Sequence, residues 1–142
     1  MSTAMEPRQT VVYFGQIDAS APEALPVFVA SVPIEILGVY LLDTAAKVGH
    51  ANNKGTYSII NKGLAGAGTT VVATRVTVAP TTDDIAAFVK WPLTLSAFTN
   101  RLEVAAGEVL AFTASEAGTA TSGDLTDATI IIEYAVGYSG GV

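Results

Sequence analysis

Short runs of β-branched residues, separated by turn-forming residues, recur along the whole chain. Its 142 residues include sixteen Val, seventeen Thr and nine Ile, whose branched side chains pack well on the pleated surface of a sheet. Thirteen Gly and a charged fraction of only 14% argue against a helical bundle. No stretch keeps a helical period for more than one or two turns, and we find no fixed repeat. The pattern predicts an all-β protein.

Nine segments carry the strand pattern at short, fairly regular spacing. They are residues 10–15, 25–31, 34–43, 56–60, 69–79, 88–95, 100–105, 108–114 and 128–137. In the third segment, simple alternation puts Ile34, Ile36, Gly38, Tyr40 and Leu42 on one face. Pro92 restricts its segment to an edge or a bulge, because proline cannot donate a ladder hydrogen bond. This organisation is typical of an antiparallel sandwich or barrel.

The chain is predicted to form one domain preceded by an arm. Residues 1–9 are polar and include Pro7, so we expect them to be disordered unless docked. We assign residues 1–24 to an N-terminal arm and first strand that docks on a partner, and residues 25–142 to a single β-sandwich domain. We expect no signal peptide. We also expect no transmembrane segment, because the most apolar window, residues 27–42, is short and interrupted.

The acidic balance limits the partners of the chain. A formal net charge of −6 and a pI near 4.5 repel phosphate groups, so nucleic acid and anionic membranes are poor partners. The absence of Cys excludes a disulfide scaffold, a thiolate zinc site and a thiol nucleophile. Because there is also only one His, the sequence predicts no metal site and no cofactor.

The sharpest local match to a catalytic motif is Asp43-Thr44-Ala45. Dimeric aspartic proteases carry Asp-Thr-Gly at a strand end, and each subunit supplies one carboxylate to the catalytic pair. Here Ala45 stands where that family needs Gly, and the competing interpretation is that Asp43 caps its own turn. A triad of His50, Asp43 and Ser58 fits no known order, so His50 is predicted to lie in a surface loop.

Two further groups of residues contain types that can bind a ligand, but their patterns are more typical of turns. The Gly-rich segment 63–70 lacks Gly-Lys-Ser/Thr and precedes a strand, which favours a hairpin connection over a phosphate loop. The pairs Asp83–Asp84 and Asp124–Asp127 could bind Ca²⁺, but neither matches an EF-hand. Residues 81–87 predict a short helical turn capped by Thr82 or Asp83.

Trp91 is the aromatic residue with two open interpretations. With Phe88 and Phe98 nearby, it could form an exposed platform for sugars or for a partner subunit. The other interpretation is that Trp91 belongs to the core, because buried aromatic residues dominate the interior of sandwiches.

Six sequence stretches together resemble a known group of proteins. These stretches are VYLLDTAA at 39–46, TYSIINKG at 56–63, GAGTTVVAT at 66–74, PLTLSA at 92–97, LEVAAGEVLAFT at 102–113 and IIIEY at 130–134. Between about residues 34 and 134 the chain resembles the Ala/Thr/Gly-rich head decoration (cement) proteins of tailed bacteriophages. The likeness is a pattern of strands and turns and includes no catalytic fingerprint.

The resemblance implies both a fold and a role. It implies an antiparallel jelly-roll-like β-sandwich of about eight or nine strands, made in the host cytoplasm and placed on the outer capsid surface of the virion. Such proteins are often trimers that bridge major capsid protein subunits and strengthen the shell against internal DNA pressure. The resemblance supplies no catalytic residues, so we expect no enzymatic activity.

We therefore predict a homo-oligomeric structural virion protein. The predicted contacts with the capsid or with other copies are Arg8, Thr10, Val12 and Phe14 in the arm, together with Trp91. A mean hydropathy of +0.46 is high for a free monomer and fits buried oligomer contacts.

Two rival hypotheses remain. The first is a jelly-roll carbohydrate- or receptor-binding module of a phage fibre, with Trp91, Tyr57 and Asn52/Asn53 at the sugar site. The second is the aspartic protease with Asp43 as catalytic residue.

Overall fold

The computed structural model describes residues 6–137, and ten β-strands account for its regular structure. The strands are β1 Arg8–Ile17, β2 Leu25–Val29, β3 Ile34–Leu42, β4 Lys54–Gly63, β5 Thr70–Val76, β6 Trp91–Pro92, β7 Thr94–Leu95, β8 Glu103–Val104, β9 Val109–Ala117 and β10 Leu125–Val136. One turn of 3-10 helix spans Thr99–Arg101, and the described residues contain no α-helix. The all-β prediction is confirmed.

The strands form two antiparallel sheets that face each other. Sheet I has the order β1-β10-β3-β6, with β8 also paired to β3, and sheet II has the order β2-β9-β4-β5-β7. Strands that follow each other along the chain mostly lie in opposite sheets, as in a jelly roll. The predicted jelly-roll-like sandwich is confirmed, with ten strands where eight or nine were expected.

The additional strand arises at Pro92, where the predicted segment 88–95 divides. β6 pairs with β3 in sheet I, and β7 pairs with β5 in sheet II. Leu93 lies between them and is buried. Since Pro92 cannot donate a ladder hydrogen bond, it lies on the edge strand of sheet I, as its sequence predicted.

The antiparallel pairing places the connections at two ends of the sandwich. One end, here called the upper end, carries residues 18–24, 43–53, 77–90 and 118–124. The other end, the lower end, carries residues 30–33, 64–69 and 96–108.

A row of aromatic side chains crosses the core between the two sheets. Phe14 stacks on Phe112 at 6.0 Å between ring centroids, and Phe112 lies parallel to Tyr57 at 6.4 Å. Trp91 then meets Tyr57 edge-on at 5.8 Å. Such pairs contribute about 0.5–1.5 kcal/mol each beyond the area they bury. The row therefore joins the first strand of sheet I to its last.

The predicted alternation of β3 is wrong beyond Ile36, because the strand contains a β-bulge. Ile36 pairs with Tyr134 and Gly38 pairs with Glu133, so Leu37 is an additional residue without a place in the register. Leu37 is exposed, whereas Val39 and Leu41 point into the core with Ile36. The bulge therefore inverts the two faces part-way along the strand.

The predicted helical turn at residues 81–87 is also wrong. No helix forms there, and the carboxylates of Asp83 and Asp84 accept hydrogen bonds from backbone amides of this loop and of residue 49. Asp83 Oδ2 accepts a hydrogen bond from the Ala79 amide at 3.0 Å. Asp84 Oδ1 accepts from the amides of Thr81 at 3.0 Å and Gly49 at 2.7 Å. These aspartates fix an irregular loop at the upper end.

Candidate functional site

The free edge of β1 is the longest open strand edge of the sandwich. β1 is the first strand of sheet I, and no strand within residues 6–137 pairs with its outer side. From Arg8, opposite Tyr134, to Tyr13, opposite Thr129, its register with β10 is regular. The register then shifts on both sides of Gly15, whose φ of 74° accommodates a bulge. β1 thus has a regular half, 8–13, and a bulged half, 14–17.

The other edges of the sandwich are short or interrupted. β2 has five residues, contains Pro26 and has a register shift between Pro26 and Phe28. β6 and β7 have two residues each, and β6 contains Pro92. Short edges and proline are common protection against unwanted strand pairing. The regular half of β1 lacks both features.

The side chains of β1 alternate between the core and the outside. Val12 and Phe14 are half-buried and pack against the core, and Thr10 is half-buried as well. Val11 and Tyr13 are 55% and 66% exposed. The sequence prediction selected Arg8, Thr10, Val12 and Phe14, of which only Arg8 is exposed in this chain. Their role in partner contact stays a prediction. The sequence prediction did not select the exposed residues Val11 and Tyr13, although the alternation of residues 10–15 already separated them from Val12 and Phe14.

An apolar strip continues from β1 across the outer face of sheet I. Val11 lies opposite Ile131 on β10, which lies opposite Tyr40 on β3. The Lys90 ammonium sits 4.4 Å from the centre of the Tyr40 ring. Tyr13 donates its hydroxyl hydrogen to Asp127, and this bond raises the pKa of Tyr13. The strip therefore combines an apolar middle with polar hydroxyl groups.

Trp91 packs into the core of this chain, as the core interpretation predicted. It is only 5% exposed, and the Arg75 guanidinium lies 4.5 Å from its ring centre. Arg75 also donates to Asp83 Oδ1 at 3.0 Å and to the Pro92 carbonyl at 2.9 Å. A contact of Trp91 with a partner stays a prediction, and little of its side chain is accessible for that contact.

The residues of the predicted sugar site do not form a platform. Tyr57 is fully buried and donates its hydroxyl hydrogen to the Gly123 carbonyl at 2.8 Å. Burial is the main reason that the pKa of Tyr57 is raised, and the charge of Asp43 adds to it. Asn53 Oδ1 accepts from the Thr119 amide at 2.9 Å. With Tyr57 and Trp91 both inside, no ring face of this set is available for stacking on a sugar.

Asp43 acts as a structural cap. Asp43 is 2% exposed, and its Oδ1 accepts from the amides of Thr44 and Asp127, each at 2.8 Å. Oδ2 accepts from the Thr126 amide at 3.1 Å. The carboxylate therefore closes its own turn and ties the end of β3 to the start of β10. This geometry matches the turn interpretation of Asp-Thr-Ala.

The other members of the considered triad bond to different partners. His50 Nδ1 accepts from the amides of Asn52 and Asn53 at 3.0 and 2.9 Å, within an exposed loop. Ser58 Oγ shares a hydrogen bond of 2.7 Å with Thr74 Oγ1. Over residues 6–137 no group of three or more His, Cys, Asp or Glu side chains is placed to hold a metal ion. In the same range no helix is long and apolar enough to span a membrane.

Comparison with known proteins gives structural matches only. No protein-family model matches the chain, and the comparison with curated proteins found no match either. Among solved structures, infectious bursal disease virus of the Gx strain matches at 14% identity and a TM-score of 0.42, over 96% of this chain and 33% of that chain. A particle of the same virus matches at 15% identity and a TM-score of 0.42, over 99% and 33%. The chain spans about one third of the length of the chains it matches, and values of this size assign no family.

Proposed function

We propose that this protein is a structural component of a tailed-phage virion that binds the outer capsid surface and stabilises the shell. In this role it bridges major capsid protein subunits as a homo-oligomer, a trimer by the resemblance, and binds neither nucleic acid nor membrane. Two observations support the proposal: the resemblance of residues 34–134 to the head decoration proteins of tailed phages, and the jelly-roll-like fold. The observation that carries it is the open, regular edge of β1, which offers a site for a partner strand.

The backbone of β1 explains how such a contact would form. Along an edge strand, every second residue directs its N–H and C=O groups away from the sheet, where an extended segment of another chain can pair with them. The regular half offers six consecutive residues, Arg8–Tyr13, for this pairing. Val11 and Tyr13 on the outer face would then contact alternate side chains of the added strand. Such a contact requires no catalytic group.

The proposal is tested by sedimentation of the purified chain with a panel of expanded tailed-phage capsids that lack decoration protein. We expect the wild-type chain to sediment with a capsid and to raise the temperature at which that capsid releases its DNA. Val11→Lys places a charge on the paired edge and should weaken binding by at least about tenfold. Val48→Lys is the matched control, because Val48 is an exposed valine of the upper end.

Two results would contradict the proposal. One is a folded wild-type chain that binds none of the capsids. The other is a Val11→Lys chain that binds as tightly as the Val48→Lys control. Far-UV circular dichroism on all three chains separates loss of binding from loss of folding.

A further inference from the structure

The loop before β6 presents an aromatic side chain to solvent in a strained backbone conformation. Phe88 is 73% exposed, and its φ is 62°, a region that bulky residues rarely adopt. Its amide donates to the Asp43 carbonyl oxygen at 2.9 Å, which anchors the loop to the end of β3. The next residue, Val89, is 54% exposed. We call Phe88 and Val89 the knob. Strained positions held by their surroundings concentrate at functional sites.

A pocket of matching character lies on the opposite side of the sandwich. It opens between β1 and β2, the first strands of the two sheets, and has a volume of about 430 Å³. Its apolar lining comes from Phe14, Ile17, Leu25 and Ala114. This volume lies within the range of pockets that hold small ligands, so an aromatic side chain fits.

The knob and the pocket lie at the same end but on opposite sides. The knob directly precedes β6 and β7, the last strands of the two sheets, whereas the pocket lies beside the first strands. Ile17 at the end of β1 and the segment 77–90 both belong to the upper end. The knob and the pocket therefore lie at the same level along the strand direction. Two copies placed side by side can bring the knob of one against the pocket of the other without a shift along that direction.

The charges around the two features are complementary. The charged residue next to the knob is Lys90, which is exposed. The rim of the pocket carries Asp18 and Glu23, which are also exposed. In a side-by-side arrangement the ammonium of one copy approaches the carboxylates of the next. This sign pattern favours a second copy of the same chain as the occupant.

We propose that copies of this protein associate head to tail, with Phe88 of one copy inserted into the β1–β2 pocket of the next. The contact joins two different surfaces, so the copies close into a ring when the rotation permits. It uses the bulged half of β1 and leaves the regular half free. The proposal rests on the proposed function, because it supplies the contact between copies for the homo-oligomer proposed there; the association itself needs no capsid.

Light scattering and sedimentation equilibrium on the full chain test the proposal. We expect the wild-type chain to have a mass of at least twice the 14.6 kDa of a single chain. Phe88→Ser should weaken association by about 30-fold or more, as for a central aromatic anchor. Phe98→Ser is the matched control, because Phe98 is an exposed phenylalanine of the lower end. That variant should keep the wild-type mass.

A mixing experiment tests the head-to-tail geometry itself. Ala21 is exposed at the pocket, so Ala21→Trp should fill the pocket without disturbing the core. Phe88→Ser and Ala21→Trp should each be monomeric alone. Mixed together they should form a 1:1 dimer that grows no further, since one still has its pocket and the other its knob.

A charge exchange provides a second test. Lys90→Glu should weaken association, and combining it with Glu23→Lys in the same chain should restore it at least partly. The proposal is overturned if the wild-type chain is monomeric at all concentrations reached, if Phe88→Ser keeps the wild-type mass, or if the two monomeric variants do not combine. Capsid binding is measured separately with Val11→Lys, so failure of one proposal is distinct from failure of the other.

Discussion

Asp43 ties the end of β3 to the start of β10, so Asp43→Ala should destabilise the fold strongly. The substitution removes the acceptors of three backbone N–H groups, those of Thr44, Thr126 and Asp127. Hydrogen bonds to charged groups contribute about 1.5–3 kcal/mol each, and we take about 1 kcal/mol because these donors are only partly buried. The expected loss is about 3 kcal/mol. Because unfolding entropy near the midpoint is about 0.3 kcal/mol/K for 142 residues, the midpoint should fall by about 10 °C.

The loss is measured by thermal unfolding in circular dichroism and by urea unfolding followed through the fluorescence of the buried Trp91. Asp18→Ala is the control, because within residues 6–137 the exposed Asp18 carboxylate accepts hydrogen bonds only from Ser20. Its effect should stay within about 0.5 kcal/mol. Asp43→Asn keeps one acceptor oxygen, so its loss of stability should lie between those of Asp43→Ala and Asp18→Ala. If Asp43→Ala melts within about 2 °C of the wild-type chain, the assigned capping role is wrong.

Two further substitutions test the core. Tyr57→Phe removes a buried hydrogen bond to Gly123 and should cost about 1 kcal/mol at neutral pH in urea unfolding. Since burial raises the pKa of Tyr57, the wild-type chain should lose stability as pH rises above about 10, with a slope of up to about 1.4 kcal/mol per pH unit. Tyr57→Phe should lack that part of the slope, and equal slopes would refute the assignment. Arg75→Met leaves Asp83 without its ion pair and should cost about 2 kcal/mol in the same assay. Arg75→Lys should recover only part of this, because an ammonium cannot reproduce the planar fork of donors; full recovery would contradict the geometry.

The sheet architecture could be predicted because it depends on features that repeat along the chain. All nine predicted strand segments overlap an observed strand, since β-branched runs and turn residues are local signals. The bulge at Leu37 has no such signal. It depends on how β3 meets Glu133 and Tyr134, which are about a hundred residues away. Local alternation therefore gave the correct faces only as far as Ile36.

The candidate surfaces were only partly predictable, because they too depend on contacts between residues that are distant in the sequence. Alternation separates Val11 and Tyr13 from Val12 and Phe14, but only the stacking of Phe14 on Phe112 shows which set points inward. Nothing near Phe88 indicates a left-handed backbone, because the segment contains no glycine.

The division of β1 explains how one strand could serve two contacts. The shift at Gly15 ends the regular ladder, so strand pairing is available only in residues 8–13. Beyond this regular ladder, Phe14 and Ile17 lie in the wall of the pocket beside β2. A shell-binding oligomer needs contact with its neighbours and contact with the shell, and these must not compete. Because the two halves are separate, Val11→Lys should leave the solution mass unchanged and Phe88→Ser should leave the single-copy capsid contact intact. If one of these substitutions abolished both self-association and capsid binding, β1 would act as a single surface.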